Sequence, residues 1–400
     1  MFFSSKKGGV LVGNYSYHKV YYLASNFLNQ SVIVILPILA LKLFDDPYFV
    51  AQIGLYETIA GLLFGIVAVV CIDYLKNKFF VVTFSGALTL SLVLFYLYSK
   101  QSMLIFMLLM VMFLFFSRLI ISIQNAIMFK KFSEKTEGIA NYNMFTTSTY
   151  IILSIMVPPI SLYLFNLSGL TFILILSFIL VISSLFFEKA KYNIQVKESI
   201  FLDFKQNITV FFSNPDLYTP ILMLASIIFS GIMVTTIYYI YIINTLELDN
   251  ITYTLLLTVQ SIGSLISSIF LYKRFFTNRI KVLPIATFLL ALSYMAFLGV
   301  YKNVYLLLIV SLFSGVLVTI IQMLVSEQYQ KNCPPDLFGT INGIRVTLNN
   351  IAGLLGAGVA SLSYAYIGTY GIYAINIVLL MIIALVTLKK YKIKFRRGPL

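Results

Sequence analysis

Three charged side chains fall inside stretches of this sequence that are otherwise apolar: Glu57, Arg118 and Arg345. At bilayer mid-depth an ionised group costs about 2.5–3.5 kcal/mol on insertion scales, so such a group faces protein or a water-filled cavity. Glu57 offers a carboxyl that can carry a proton or pair with a cationic substrate. The plainer alternative is a hydrogen-bonded glutamate that locks helix packing. Gly54, Glu57, Gly61 and Gly65 share one helical stripe, so the acid lies beside a close-packing Gly-x-x-x-Gly seam. Arg118 has Ser122 and Asn125 on its own helical face. It suits an anionic substrate or a pairing with Glu57 in one state of a cycle, and its alternative is a structural arginine bonded to backbone carbonyls. Arg345, followed by Asn349 and Gly353 at four-residue spacing, is either a substrate contact or a side chain snorkelling to the interface.

Uncharged polar stripes extend this set. Asn26, Asn29 and Gln30 crowd one helical face; Thr254, Thr258 and Ser261 form a second; Ser311, Gly315, Thr319, Gln322 and Ser326 form a third. Each group suits interhelical glue, worth about 0.6 kcal/mol, yet their convergence with Glu57 and Arg118 on five segments points to a lined cavity. Tyr238, Tyr239 and Tyr241 offer rings for stacking or cation binding, or an aromatic belt at the membrane interface.

The elements that must position these groups are membrane helices. Of 400 residues, 60% are hydrophobic and 10% charged, which excludes a soluble protein. Twelve apolar stretches approach the roughly 20 residues needed to cross a bilayer: 19–42, 50–72, 79–98, 103–128, 139–165, 168–187, 217–243, 251–272, 283–300, 304–329, 338–366 and 371–388. The long hydrophilic interruption at 188–216 divides them into two sets of six. The expected fold is an all-α polytopic membrane protein: an N-terminal bundle over 1–187, a cytoplasmic linker over 188–216 and a C-terminal bundle over 217–400 with a basic tail. The halves echo each other about two hundred residues apart. Asp73-Tyr74-Leu75-Lys76-Asn77-Lys78 follows span two, and Tyr272-Lys273-Arg274 opens the basic loop after span eight. Such a repeat predicts a pseudo-two-fold axis along the membrane normal, with the substrate site near the midplane between the halves.

The net charge of +14 is topological rather than a nucleic-acid footprint. Lys6, Lys7, Lys76, Lys130, Lys131, Lys189, Lys273 and Arg274 fall on one side if the spans alternate, while Asp45, Asp46, Glu247 and Asp249 fall on the other. The positive-inside rule then makes both termini and the linker cytoplasmic. Met1 to Lys19 lacks an apolar signal-peptide core, so the first span is expected to serve as an uncleaved insertion signal. Cys71 and Cys333 stand too far apart in sequence to suggest a disulfide framework, and His18 has no second histidine with which to form a metal site. No metal or cofactor is expected.

Against this background the chain resembles the major facilitator superfamily, in particular its enterobactin-exporter-like and macrolide-efflux-like branch. The resemblance rests on Gln328 to Gly339 between spans ten and eleven, on Asn342-Gly343 and Leu354-Leu355-Gly356-Ala357-Gly358, and on Gln260-Ser261-Ile262-Gly263-Ser264. It covers the whole chain in architecture and a few short motifs in detail. The family's loop after its second helix reads roughly Gly-x-x-x-Asp-Arg-x-x-Arg-Arg; here Asp73 and Lys78 match it and Tyr74 replaces the first arginine. The resemblance implies a conformational latch of Asp73, Lys78 and Gly339, in which the carboxylate meets the positive dipole end of span eleven. Pro158-Pro159 is similar to the antiporter motif of drug exporters, with Val157 and Ile160 where glycines are expected.

The expected function is secondary active transport: proton-linked efflux of a small amphipathic or metal-chelating molecule by alternating access, from a monomer in a bacterial cytoplasmic membrane. The expected substrate or proton pathway is Glu57, Arg118, Asn26, Gln30, Gln322, Arg345 and Asn349. Two alternatives stay open, an importer of a peptide, siderophore or sugar and a polysaccharide-lipid flippase. A membrane enzyme would need a mid-membrane nucleophile or histidine base, and His18 lies outside the spans.

Overall fold

The computed structural model describes residues 11–71, 86, 88–89, 91–92, 102–133, 138–169, 171–185, 211–271, 282–300, 302–332 and 338–396. All regular elements among them are helical. Each helix takes the name of its span: one is Leu11–Phe44, two Pro47–Cys71, four Met103–Ser133, five Gly138–Ser168 and six Thr171–Leu185. In the second half, seven is Pro215–Ile240, eight Asn250–Ile266, nine Val282–Gly299 and ten Val304–Asn332. Span three is represented by helical residues between 86 and 92.

Seven runs among the described residues are long and apolar enough to cross a membrane. One of them, Ile344–Lys389, has 46 residues, or about 69 Å of helix at 1.5 Å per residue. A hydrocarbon core is only about 30 Å thick, so this run must double back. It does so at Gly368, whose φ of 63° and ψ of −171° interrupt the helix Phe338–Arg396. Spans eleven and twelve are its two arms.

The short loops at this end share one backbone device. Gly169 after span five and Gly368 after span eleven both have left-handed φ, 61° and 63°. Asp45 after span one and Glu247 after span seven do too, at 48° and 52°. Each pair is separated by the same two-hundred-residue offset that the basic loops display. An Asx side chain then caps the following helix: Asp46 accepts from the Tyr48 N–H at 2.9 Å, and Asp249 from the Thr252 N–H at 2.8 Å.

The Asp249 cap is testable. Its hydrogen bonds to Thr252 hold the carboxyl below its ordinary value of 3.8, so the cap is fully present above that pH and is lost as pH falls through the lower folded value. We expect Asp249→Ala to destabilise the protein by about 1 kcal/mol at pH 7, read by thermal unfolding in detergent. The difference from wild type should shrink as pH falls below 3.8 and through the lower folded value.

Spans one, two, four, five and six pack on one another, as do spans seven to twelve. The two sets meet where span two contacts spans seven and eleven, and where span five contacts span eight. Polar links cross this boundary: the Ser361 hydroxyl donates to the Ala51 carbonyl at 2.7 Å, and Thr258 donates to the Ile155 carbonyl at 3.3 Å. Within the second set, spans eight and ten touch backbone to backbone. A Cβ on Gly315 would lie 1.9 Å from the Gln260 carbonyl oxygen, and one on Gly263 would lie 2.1 Å from that of Leu312. Asn376, fully buried in span twelve, ties itself to span seven by exchanging hydrogen bonds with Ser230.

Candidate functional site: a cavity between the two helix sets

A cavity of about 410 Å³ opens where the two sets of helices face each other. Spans one, two and four form one side, and spans seven to twelve form the other. The volume lies in the range of small-molecule sites.

Glu57 and Arg118 both line this cavity, and they are joined. Arg118 Nη2 donates to Glu57 Oε1 at 3.1 Å. The side chains are 27% and 31% exposed for arginine and glutamate respectively, so the pair is neither dry nor freely solvated. The arginine reaches span two because Gly61 has no side chain: a Cβ there would sit 1.8 Å from Arg118 Nη1. Gly54, two turns away on the same stripe, instead makes room for Thr236 of span seven, 2.5 Å from its would-be Cβ. The glycine stripe thus serves two neighbours, one in each half.

Opposite the ion pair stands an aromatic wall. Tyr238, Tyr239, Tyr253, Tyr294, Phe297 and Tyr373 line the cavity from spans seven, eight, nine and twelve. Tyr238 stacks on Phe297 at 5.7 Å and 24°, and Phe297 stacks on Tyr373 at 6.1 Å and 25°. Tyr239 meets Tyr253 edge to face at 4.9 Å. Tyr239 and Tyr241 are buried among protein groups, with hydroxyls donating to Asn250 Oδ1 and the Phe297 carbonyl, which is a core position rather than a lipid-facing belt. Polar groups complete the lining: Thr58, Gln260, Ser311, Ser314, Asn349 and Asn350. Asn349 Oδ1 and the Tyr373 hydroxyl are buried and have no hydrogen-bond partner among the described residues.

Of the residues expected to line a pathway, the structure therefore brings together Glu57, Arg118 and Asn349. Asn26 is buried and donates to the Tyr22 carbonyl of its own helix at 2.8 Å. Gln30 is partly buried outside the cavity lining, and Gln322 is exposed. Arg345 sits over the ring of Tyr329, 5.7 Å from its centroid, one turn away from Asn349. The span-ten stripe divides, with Ser311 in the cavity and Gly315 in the helix seam. Thr254 donates to the Ile251 carbonyl of its own helix, while Thr258 donates both within its helix and across to the Ile155 carbonyl of span five. Asp73 and Lys78 of the expected latch lie outside the described residues, as do the side chains of Ser122 and Asn125; Gly339 falls in the first turn of the helix Phe338–Arg396. Tyr253, Tyr294, Phe297 and Tyr373 were not singled out by sequence. Their one signal there is composition, 28 tyrosines with no tryptophan, which places no ring at a site.

The family model for the Major Facilitator Superfamily matches residues 20–357. The chain belongs to this superfamily. No curated protein sequence matches it. Solved structures of superfamily-like fold do. A bacterial homologue of the iron transporter ferroportin in an inward-facing state is 15% identical with a TM-score of 0.73, covering 95% of this chain and 98% of that one. The nucleoside transporter NupG is 14% identical with a TM-score of 0.69, over 94% and 99%. The human organic anion transporter MFSD10 is 11% identical with a TM-score of 0.63, over 94% and 98%. At these identities the likeness is one of fold. Membership makes this superfamily protein a multi-pass membrane transporter of a small molecule.

Proposed function

We propose that this superfamily member is a proton-linked exporter of a small amphipathic or metal-chelating molecule, working by alternating access. The observation that carries the reading is the Glu57–Arg118 ion pair in a cavity shared by both helix sets. A carboxylate held by one arginine and facing a cavity has two ways to be neutralised, by Arg118 or by a proton. Protonation releases the arginine from span two, and deprotonation draws it back, so the charge state of Glu57 is coupled to the spacing of two helices. In a twelve-span protein, rocking of residues 1–187 against 217–400 would convert that local change into a change of access. The basic loops favour both termini in the cytoplasm, and a monomer suffices because both walls of the cavity come from one chain.

The test is a comparison of small molecules inside and outside cells that lack this protein and cells that overproduce it. The expected result is a compound retained by the deletion strain and released on overproduction. A compound left in the medium by the deletion strain would instead make the protein an importer.

A further inference from the structure

The cavity holds two kinds of information about its occupant. The first is charge. Glu57 and Arg118 neutralise each other at 3.1 Å, and they are the only acid and base in its lining among the described residues. A ligand of net charge would compete with that pairing and leave one half-buried charge without its counterion, which disfavours it against a neutral ligand. The second is shape and polarity. Tyr238, Phe297 and Tyr373 lie in a near-parallel series, with interplanar angles of 24° and 25°, and flat groups continue such a series at favourable offset geometry. Within the same lining, Asn349 Oδ1 and the Tyr373 hydroxyl are buried without partners among the described residues. Buried polar atoms are nearly always hydrogen-bonded, so a ligand that satisfies them is favoured over one that is apolar throughout.

Resting on the reading of this cavity as the transport site, we infer that its ligand is an uncharged planar aromatic molecule with hydrogen-bonding groups at its edge. The ring packs against the tyrosine wall. A hydroxyl or amide N–H at its edge donates to Asn349 Oδ1, and an edge oxygen accepts from Tyr373. The Glu57–Arg118 pair stays closed, so binding leaves the proton-carrying group unchanged.

The absence of tryptophan makes tyrosine emission the reporter. In purified full-length protein, saturable quenching by 4-methylumbelliferone, kept as the neutral phenol at mildly acidic pH, is compared with quenching by coumarin-3-carboxylate and by 1-methylquinolinium. The neutral probe is expected to bind about tenfold or more tightly than either ion. Asn349→Ala and Tyr373→Phe, on different spans, should each weaken it about three- to tenfold, the loss of one hydrogen bond. Glu57→Gln should raise affinity for the carboxylate relative to the neutral probe, because Arg118 loses its counterion. Equal or tighter binding of either ion, no saturable quenching by the neutral probe, or indifference to both Asn349→Ala and Tyr373→Phe would overturn the inference. Preference for an ion would end this inference and leave the proton-linked cycle standing. Intact transport by Glu57→Gln would end that cycle and leave the binding result standing.

Discussion

Glu57→Gln is expected to abolish gradient-driven transport while the protein still folds. The substitution keeps the shape of the side chain and its ability to accept the Arg118 hydrogen bond, seen at 3.1 Å. It removes the ionisable carboxyl, the only carboxyl in the cavity lining among the described residues. Arg118 then keeps its charge without a counterion. Because the pair is 27% and 31% exposed, cavity water screens that charge, and the stability cost should be about 1 kcal/mol rather than that of a dry buried ion. The measurement is dissipation of a pH gradient in inside-out vesicles on adding the compound found by the cell comparison. Wild type should release protons with each addition, and Glu57→Gln should not. The double variant Glu57→Gln, Arg118→Gln removes the stranded charge, and should recover thermal stability without recovering transport. Proton release by either variant would remove Glu57 from the coupling role.

The second large effect belongs to packing. Gly315→Ala places a methyl group 1.9 Å from the Gln260 carbonyl oxygen. That contact is with backbone, so no side chain can swing away, and spans eight and ten must separate. Gly263 faces the Leu312 carbonyl in the reciprocal sense at 2.1 Å, so separation at one glycine opens the seam at both. Overpacking of this kind should cost about 3 kcal/mol. Gly231 on span seven is the control, since a Cβ there meets nothing within 4 Å. Gly231→Ala gains helix propensity without a clash and should stabilise by about 0.5–1 kcal/mol. Thermal unfolding of the two variants in one detergent should move in opposite directions. Equal melting would mean that the helix seam is not made in the folded protein.

Much of the architecture is legible in the sequence, because the bilayer imposes its demands residue by residue. An ionised side chain in an apolar stretch stands out wherever the stretch ends up, and Glu57 and Arg118 stood out. The acid and amide residues that begin helices act over two or three positions, so the turns at Asp46 and Asp249 are local facts of the sequence. The superfamily resemblance follows from short motifs, and the family match over residues 20–357 bears it out; the narrower branch rests on motifs alone.

Only the tertiary structure decided which polar residues meet. Glu57 and Arg118 are paired although sixty-one positions separate them. Asn349 faces the cavity, while Gln322, equally polar and equally spaced along its helix, is exposed. The tyrosine wall is gathered from four spans that share no sequence pattern. The physical reason is that lipid and protein interior are both apolar, so a membrane helix carries little hydrophobic contrast to reveal which face turns inward. Its rotation is set instead by close contacts such as Gly263 on Leu312 and Gly61 on Arg118, and those contacts exist only once the partner helix is in place.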